Sequence, residues 1–354
     1  MIAWNAVKLL SPAWAVKNIS ETELRIDYKN GSELWLIGFD KRQRFEGKEI
    51  WNGGAIDEYA QMEKEVWDNT VEPALRDSGG PCNFIGKPEG KNHYYELSEY
   101  AKKSKDPEWD DFCWWTEDVL DPIEIEKARL RLDERTFLQE YHGDFVSYEG
   151  RAYIYYSSDS HRKPQSFVDT IPISICCDFN LDPCIWLFCQ DKKGFISVQE
   201  ELKQRQTDVW KMCNSAKERL VSRIGDNARR HPVIFYGDFE HGKTRSVSAT
   251  NTSWQIIRDE FSGWNVEFRL KTHPRIIDRV NSVNSKLRNA RGEVQFGLDP
   301  SCVETHKDLE MVDMGMLQSI AEKNKAKDRT HATDALGYWI EFLYPVVKIE
   351  TIIM

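Results

Sequence analysis

The sequence predicts an α/β protein in two domains, the second built on a mixed central sheet. Three observations carry that expectation. The chain has 354 residues, more than a single hydrophobic core usually serves. Short apolar runs rich in Val, Ile, Phe and Cys alternate with segments of helical period. Three of those runs follow one another directly between Ile171 and Leu202, and only then does the alternation resume.

In chain order, Glu23–Tyr28 and Glu33–Phe39 read as strands joined by the turn Lys29-Asn-Gly-Ser32. Asn52-Gly-Gly-Ala-Ile56 is a short strand running into Asp57 and Glu58, and a helix is expected from Tyr59 to Trp67. Cys82-Asn-Phe-Ile-Gly86 is another short strand. The loop Lys87-Pro-Glu-Gly90 then leads to a helix from Asn92 to Lys103. Asp121-Pro122 opens a further helix, with Asp as cap and Pro at the first helical position, and 134–142 continues helical. The first domain is expected over 1–145. Residues 146–168 are aromatic and polar with little periodicity and read as a linker, and 169–354 form the second domain.

The second domain opens with Ile171–Phe179, Cys184–Gln190 and Phe195–Leu202, separated by the turns Asn180-Leu-Asp-Pro183 and Asp191-Lys-Lys-Gly194, an antiparallel meander. A helix over Asp208–Ile224 follows, apolar at Val209, Met212, Cys213, Ala216, Leu220 and Val221. Then come strand Pro232–Tyr236, helix Thr252–Phe261, strand Val266–Leu270, a helix near Ile276–Leu287 and a terminal helix from about Thr333. Three antiparallel strands followed by alternating helices and parallel-type strands is the order of a ribonuclease-H-like fold.

Composition narrows the function classes. Hydrophobic content of 40% and charged content of 30% are those of a globular protein. No apolar stretch reaches bilayer length, and the N-terminus lacks the pattern of a signal peptide, so a cytoplasmic, non-membrane monomer is expected. Eight cysteines include no CxxC pair and no zinc spacing, which leaves free core thiols. The net charge of −10 does not mark a nucleic-acid binder, but its distribution is uneven. Asp106–Glu126 holds nine acidic residues and no basic one. Trp264–Arg291 holds Arg269, Lys271, Arg275, Arg279, Lys286, Arg288 and Arg291 against Glu267 and Asp278. The second stretch suits a phosphate backbone or, equally, a solvated helix face.

Three acidic residues stand where elements change. Asp178 ends the run Ile171-Pro-Ile-Ser-Ile-Cys-Cys177, Asp238 ends Pro232-Val-Ile-Phe-Tyr-Gly237, and Asp334 opens the apolar stretch Ala335–Tyr344. Two strand ends and a helix start can meet at one sheet edge. Such a carboxylate set suits hard divalent cations, and a pair of those ions supports phosphodiester cleavage. Asp334 also fits a helix cap. Asp182 and Asp313 are further carboxylates nearby, and His331 lies one turn before Asp334.

Two nucleotide motifs compete for attention. Asp57-Glu58 at a strand end has the form of a Walker B pair, an Asp for the Mg²⁺ shell and a Glu for the attacking water, although helix caps share that form. Gly237-Asp-Phe-Glu-His-Gly-Lys-Thr244 fits GxxxxGK[ST], but loop composition follows it where a phosphate-binding helix should start.

Trp51–Met62 with Asp57 and Glu58, Gly86–His93, and Phe137–Phe145, together with Tyr236-Gly-Asp238 and Thr330–Tyr338, resemble the large terminase subunit of tailed bacteriophages from about residue 20 onward. The resemblance implies a partial P-loop-type ATPase domain followed by a ribonuclease-H-like nuclease domain. It makes Asp57 and Glu58 the Walker B Asp and catalytic Glu, and Lys87, Gly90 and Asn92 part of the coupling motif. It makes Asp178, Asp238 and Asp334 the ligands of two Mg²⁺ or Mn²⁺ ions. Arg269, Lys271, Arg275, Arg279 and Arg288 are then expected to hold DNA by its backbone. The family's Thr before Pro is here Lys87, and residues 1–56 hold no P-loop. ATP with Mg²⁺ is therefore expected to be used only if the missing segment is supplied, and the chain reads as a truncated, split or prophage-remnant product. The function implied is cutting of concatemeric double-stranded DNA during genome packaging, with a portal protein and a small terminase subunit as partners. The alternatives are a catalytically silent DNA-binding or assembly remnant, and a nucleotide hydrolase using Gly237–Thr244.

Overall fold

The computed structural model describes residues 2–38, 52–76, 78–146, 150–180, 182–243, 251–272, 274–319 and 329–346. Phe39, Trp51 and the stretch 244–250, expected as loop, lie outside the described residues. No described helix is long and apolar enough to cross a membrane. The fold is mixed α/β, and the chain divides into two compact units, Met1–Trp109 and Asp110–Met354.

The first unit begins with helix α1 (Ile2–Leu10). An antiparallel sheet follows, β1 (Val16–Ser20), β2 (Arg25–Tyr28) and β3 (Glu33–Trp35), in that order. The expected turn at 29–32 closes the second hairpin, with Tyr28 N donating to Ser32 O at 2.8 Å and Gly31 at φ 90°. Strand β1 had no periodic signal. Strands β4 (Gly54–Ile56) and β5 (Cys82–Phe84) pair in parallel, Ile56 opposite Phe84. Between them the expected single helix is broken into short helical turns over 59–76. Ile56, Tyr59, Val66, Val71 and Leu75 bury there against Phe84 and Leu97. Helix α2 (His93–Lys103) is capped by Asn92, whose side chain accepts from Tyr94 N and Tyr95 N.

The second unit opens with α3 (Pro122–Arg131), whose cap Asp121 accepts from Ile123 N as its sequence requires. Residues 134–142 continue helical. The sequence reading assigned these helices to the first domain. Here they pack within the second unit: Ala290 N donates to Leu132 O at 2.7 Å, and Asn289 Nδ2 to Leu130 O at 3.0 Å.

The centre of this unit is a six-stranded sheet with the order β10-β9-β6-β7-β8-β11. Its strands are β6 (Ile173–Cys177), β7 (Cys184–Lys192), β8 (Phe195–Gln204), β9 (Val233–Gly237), β10 (Val266–Phe268) and β11 (Phe296–Leu298). β6, β7 and β8 form the expected antiparallel meander. Lys193 and Gly194 close its hairpin with φ 57° and 97°, the pairing a two-residue turn needs, and Gly194 N bonds Asp191 Oδ1 at 2.7 Å. β9 joins β6, and β10 joins β9, in parallel. β11, which lies beside β8 in parallel, had no periodic signal.

Alternation along the strands divides the core. Cys176, Leu187, Cys189, Ile196, Val198 and Tyr236 face one side, under α6 (Ile276–Leu287), α7 (Val303–Met311) and α8 (His331–Leu343). Ile175, Cys177, Trp186, Phe188, Val233 and Phe235 face the other, under α4 (Val209–Ile224) and α5 (Ser253–Glu260).

Candidate metal centre

Strand register alone brings two of the three acidic residues together. Cys177 pairs with Gly237 across the parallel strands β6 and β9, so Asp178 and Asp238 leave neighbouring strand ends side by side. Neighbouring strands run about 4.8 Å apart. The approach is close because residue 237 is glycine: a Cβ there would lie 2.5 Å from Cys177 O and 3.2 Å from the Trp254 ring.

Helix α8 supplies the third. It packs on β7, β9 and β6, and His331, Asp334 and Tyr338 follow one another along it at spacings of three and four, one face of a helix. His331 Nδ1 lies 3.1 Å from Asp178 Oδ2, and its Nε2 is 3.1 Å from Asn180 Nδ2. Tyr338 OH donates to Asp238 Oδ2 at 2.8 Å, while Glu240 N donates to Oδ1 at 2.9 Å. Asp334 Oδ1 accepts from Arg279 Nη1 at 3.0 Å, and the Arg279 guanidinium stands 4.3 Å over the Tyr338 ring. The start of α8 is held by Asp308, whose Oδ2 accepts from Ala332 N at 3.1 Å. Burial pushes the Asp308 carboxyl up to about 6, against Arg329 beside it.

The electrostatics follow from burial. Asp238 is 3% exposed, Asp334 8% and Arg279 6%. Burial works against the Arg279 charge, but Asp334 and the neighbouring Tyr338 and Tyr153 outweigh it and hold its pKa above the ordinary value. Burial also drives the Tyr338 hydroxyl up, so it stays a donor to Asp238 at any neutral pH.

All three acidic residues thus lie at one end of the sheet, each in a different contact. Among the described residues no three His, Cys, Asp or Glu side chains are gathered closely enough to hold a metal ion. Of the two further carboxylates, Asp313 caps the short helix Met314–Gln318 through Met316 N at 2.8 Å, and Asp182 lies 3.3 Å from Arg205. Sequence reasoning missed Asn180, Asp308 and Tyr338. Tyr338 had a signal, its place one turn beyond Asp334.

The basic stretch is largely paired with acid. Arg269 meets Glu267 at 2.7 Å, Lys271 meets Glu341 at 2.5 Å and Arg275 meets Asp278 at 3.0 Å, each basic side chain more than a third exposed, while Arg279 is buried on Asp334. Arg288 is exposed.

In the first unit, Asp57 and Glu58 follow β4, and the 86–93 loop follows β5 beside it. Glu58 takes a left-handed conformation, φ 52° and ψ 42°. Ile85 N donates to Ile56 O at 2.8 Å and Tyr59 N to Ile85 O at 3.1 Å. Gly86 passes so close that a Cβ on it would lie 3.2 Å from Glu58 Cα. Asn92 Nδ2 donates to Ala60 O at 2.9 Å, and a His93 ring nitrogen lies 3.0 Å from Tyr59 O. Lys87 is half-buried and Gly90 sits at φ 67° in this loop. Expected as separate motifs, the two are one hydrogen-bonded element.

The GxxxxGK[ST] match takes the wrong form for a phosphate cradle. A short helix, Phe239–Lys243, starts inside the motif, four residues before Lys243, so Lys243 does not begin a helix. Thr244 lies outside the described residues.

No family model and no curated protein matches the sequence. Among solved structures the chain is similar to the large terminase from a thermophilic bacteriophage. With crystal form 2 of that protein the identity is 18% and the TM-score 0.56, over 95% of this chain and 81% of that one. With its complex with ADP the values are 17% and 0.55, over 92% and 78%. With its complex with ATP-gamma-S they are 17% and 0.56, over 92% and 77%. The chain therefore has the fold of a phage large terminase, ribonuclease-H-like in its sheet of three antiparallel strands extended by parallel ones.

Proposed function

We propose that this chain is a terminase-like, metal-dependent DNA endonuclease acting in phage genome packaging, with a nucleotide-coupling domain ahead of the nuclease. The observation that supports this reading is the place of Asp178 and Asp238 at the ends of adjacent parallel strands, with α8, which carries Asp334, packed on the same strands. The donor set is wholly carboxylate oxygen and suits Mg²⁺ or Mn²⁺. Asp178 and Asp238 fit a shared ion as neighbours, and Asp334, tied to Arg279, is the third carboxylate. Bound there, such an ion supplies charge neutralisation for phosphodiester hydrolysis.

The protein's own part is orientation. His331 and Asn180 fix the direction of Asp178, Tyr338 fixes Asp238, and Arg279 fixes Asp334. Double-stranded DNA is the substrate in this reading. Arg269 and Arg275 sit in surface pairs worth at most about 1 kcal/mol each, so a phosphate can take their carboxylates' place. Lys271 reaches the surface from its more buried partner Glu341, and Arg288 is exposed already. Arg279 is removed from that role by its burial. Asp57, Glu58, Lys87, Gly90 and Asn92 form the nucleotide-coupling element in this reading, with ATP and Mg²⁺ as its ligands. A portal protein and a small terminase subunit are the partners proposed.

A second reading, a non-cutting DNA-binding or assembly module, is favoured by the protein partner that each carboxylate already has. Cleavage of supercoiled plasmid separates the two. The nuclease reading expects nicking with Mg²⁺ or Mn²⁺, none with EDTA, and none from Asp178→Ala or Asp238→Ala. A folded protein that binds plasmid but leaves it intact with every metal sinks the nuclease reading and leaves the second.

A further inference from the structure

Residues 110–123, at the start of the second unit, present an aromatic and acidic surface that DNA cleavage does not use. Phe112 is 70% exposed, Trp114 77% and Val119 80%, with Trp115 and Ile123 also more than half exposed. The Phe112 and Trp114 rings stack on each other, 6.1 Å between centroids and 17° between planes. Single exposed apolar side chains need no explanation, but a contiguous group of large ones marks a contact surface.

The exposure is not that of a frayed coil. Cys113 Sγ donates to His142 O at 3.3 Å, and the Trp115 ring stacks on His142 at 5.2 Å and 18°. Glu117 pairs with Arg129 and with His142, and Asp121 caps α3. The backbone is thereby pinned on both sides of Trp114 while the Phe112 and Trp114 rings stand in solvent.

Charge selects the occupant. From Asp110 to Ile123 the acidic residues are Asp110, Asp111, Glu117, Asp118 and Asp121, with no basic residue among them. Glu117 is engaged by Arg129, and Asp110, Asp118 and Asp121 reach solvent. Such a surface repels a phosphate backbone and an anionic membrane alike. We propose that residues 110–123 dock a basic protein segment, whose apolar side chains cover Phe112 and Trp114 while its Lys and Arg side chains meet Asp110, Asp118 and Asp121. Aromatic side chains in a charged rim are the usual anchors of such contacts, and the rings also attract cations.

The test uses the full chain and a fluorescein-labelled peptide alternating Lys and Leu, read by anisotropy at low salt, beside the analogue with Glu in place of Lys. The Lys peptide should bind and the Glu peptide should not. Affinity should fall at least about tenfold in Phe112→Ser/Trp114→Ser and measurably in Asp110→Asn/Asp118→Asn. These side chains reach solvent, and an unchanged circular dichroism spectrum verifies that both variants fold. Absence of binding, equal binding of the two peptides, or an affinity unchanged in either variant overturns the proposal. So does a concentration-dependent dimer in sedimentation that the aromatic variant abolishes, which would assign the surface to a second copy of this chain. Plasmid cleavage is read in parallel and is expected to be the same in both variants, so failure here leaves the nuclease reading standing.

Discussion

Arg279 links two of the three α8 side chains of the candidate centre: it bonds Asp334, stacks on Tyr338, and through Tyr338 reaches Asp238. With 8% and 10% of the two side chains exposed, the Arg279–Asp334 pair has little water to screen it. A buried pair is weak evidence for stability as such, but removing one member strands the other charge. Arg279→Ala should therefore cost about 3–5 kcal/mol in urea unfolding. Arg279→Ala/Asp334→Ala should recover part of that loss, since no uncompensated carboxylate remains. A double variant as unstable as the sum of the singles would show that the two residues do not act as a pair. Lys286 carries a second residue-scale prediction. Its ammonium is 3.4 Å from the Tyr344 ring centroid and bonds Gly194 O and Gln295 Oε1, both at 3.1 Å, and burial lowers its pKa to about 8. Between pH 8 and the unfolded value near 10.4 the unfolded chain binds the extra proton, so this group adds stability as pH rises across that window. The buried thiols of Cys176, Cys177, Cys184 and Cys189 are pushed up and act oppositely. The effect is thus read as the difference between wild type and Lys286→Met. A difference curve flat from about pH 8 to 10 would refute it.

At the scale of elements, the site depends on how closely β9 lies on β6. Gly237→Ala puts a methyl group 2.5 Å from Cys177 O, where backbone must move. It should destabilise by about 1–3 kcal/mol and reduce cleavage more than stability alone explains, because the strand ends carrying Asp178 and Asp238 separate. Full cleavage activity in a folded Gly237→Ala protein would contradict the placement of those two carboxylates. The same elements show what was legible in advance. Apolar runs ending in Asp marked β6 and β9, and the meander turn at Lys193-Gly194 was written in its residues, because strand and turn chemistry are local. The three-residue strand β11 and helix α7 lacked a periodic signal of their own, since their residues are chosen by packing against β8 and α8. Arg279 read as a DNA contact because its burial on Asp334 arises only when α6 meets α8, contacts 55 residues apart in sequence. The Asp57–Glu58 and 86–93 motifs were each visible, but their hydrogen-bonded union rests on the parallel pairing of β4 with β5, which no short-range pattern announces.

At the scale of the molecule, the two units differ in how much apolar surface they bury. Among the described residues the first has one small cluster, buried at Ile56, Tyr59, Val66, Val71 and Leu75, beside strands of three to five residues. The second sandwiches a six-stranded sheet between two clusters that include Trp186, Phe188, Phe235 and Trp339, each 1% exposed or less. Units with separate cores need not unfold together, and hydrophobic stabilisation scales with the area buried. Calorimetry should therefore resolve two transitions, the cooler belonging to Met1–Trp109. Leu75→Ala, which opens a cavity costing about 2–5 kcal/mol, should lower the cooler transition alone. Phe235→Ala, on the face of the large sheet, should lower only the warmer one. A single transition that both substitutions move would mean that the units share their cooperativity. A ligand-linked shift would then separate the sites as well. If Asp178 and Asp238 hold Mg²⁺ or Mn²⁺ as proposed, the ion stabilises only the unit that carries them, so added metal should raise the warmer transition in wild type and not in Asp238→Asn, while the cooler one stays in place.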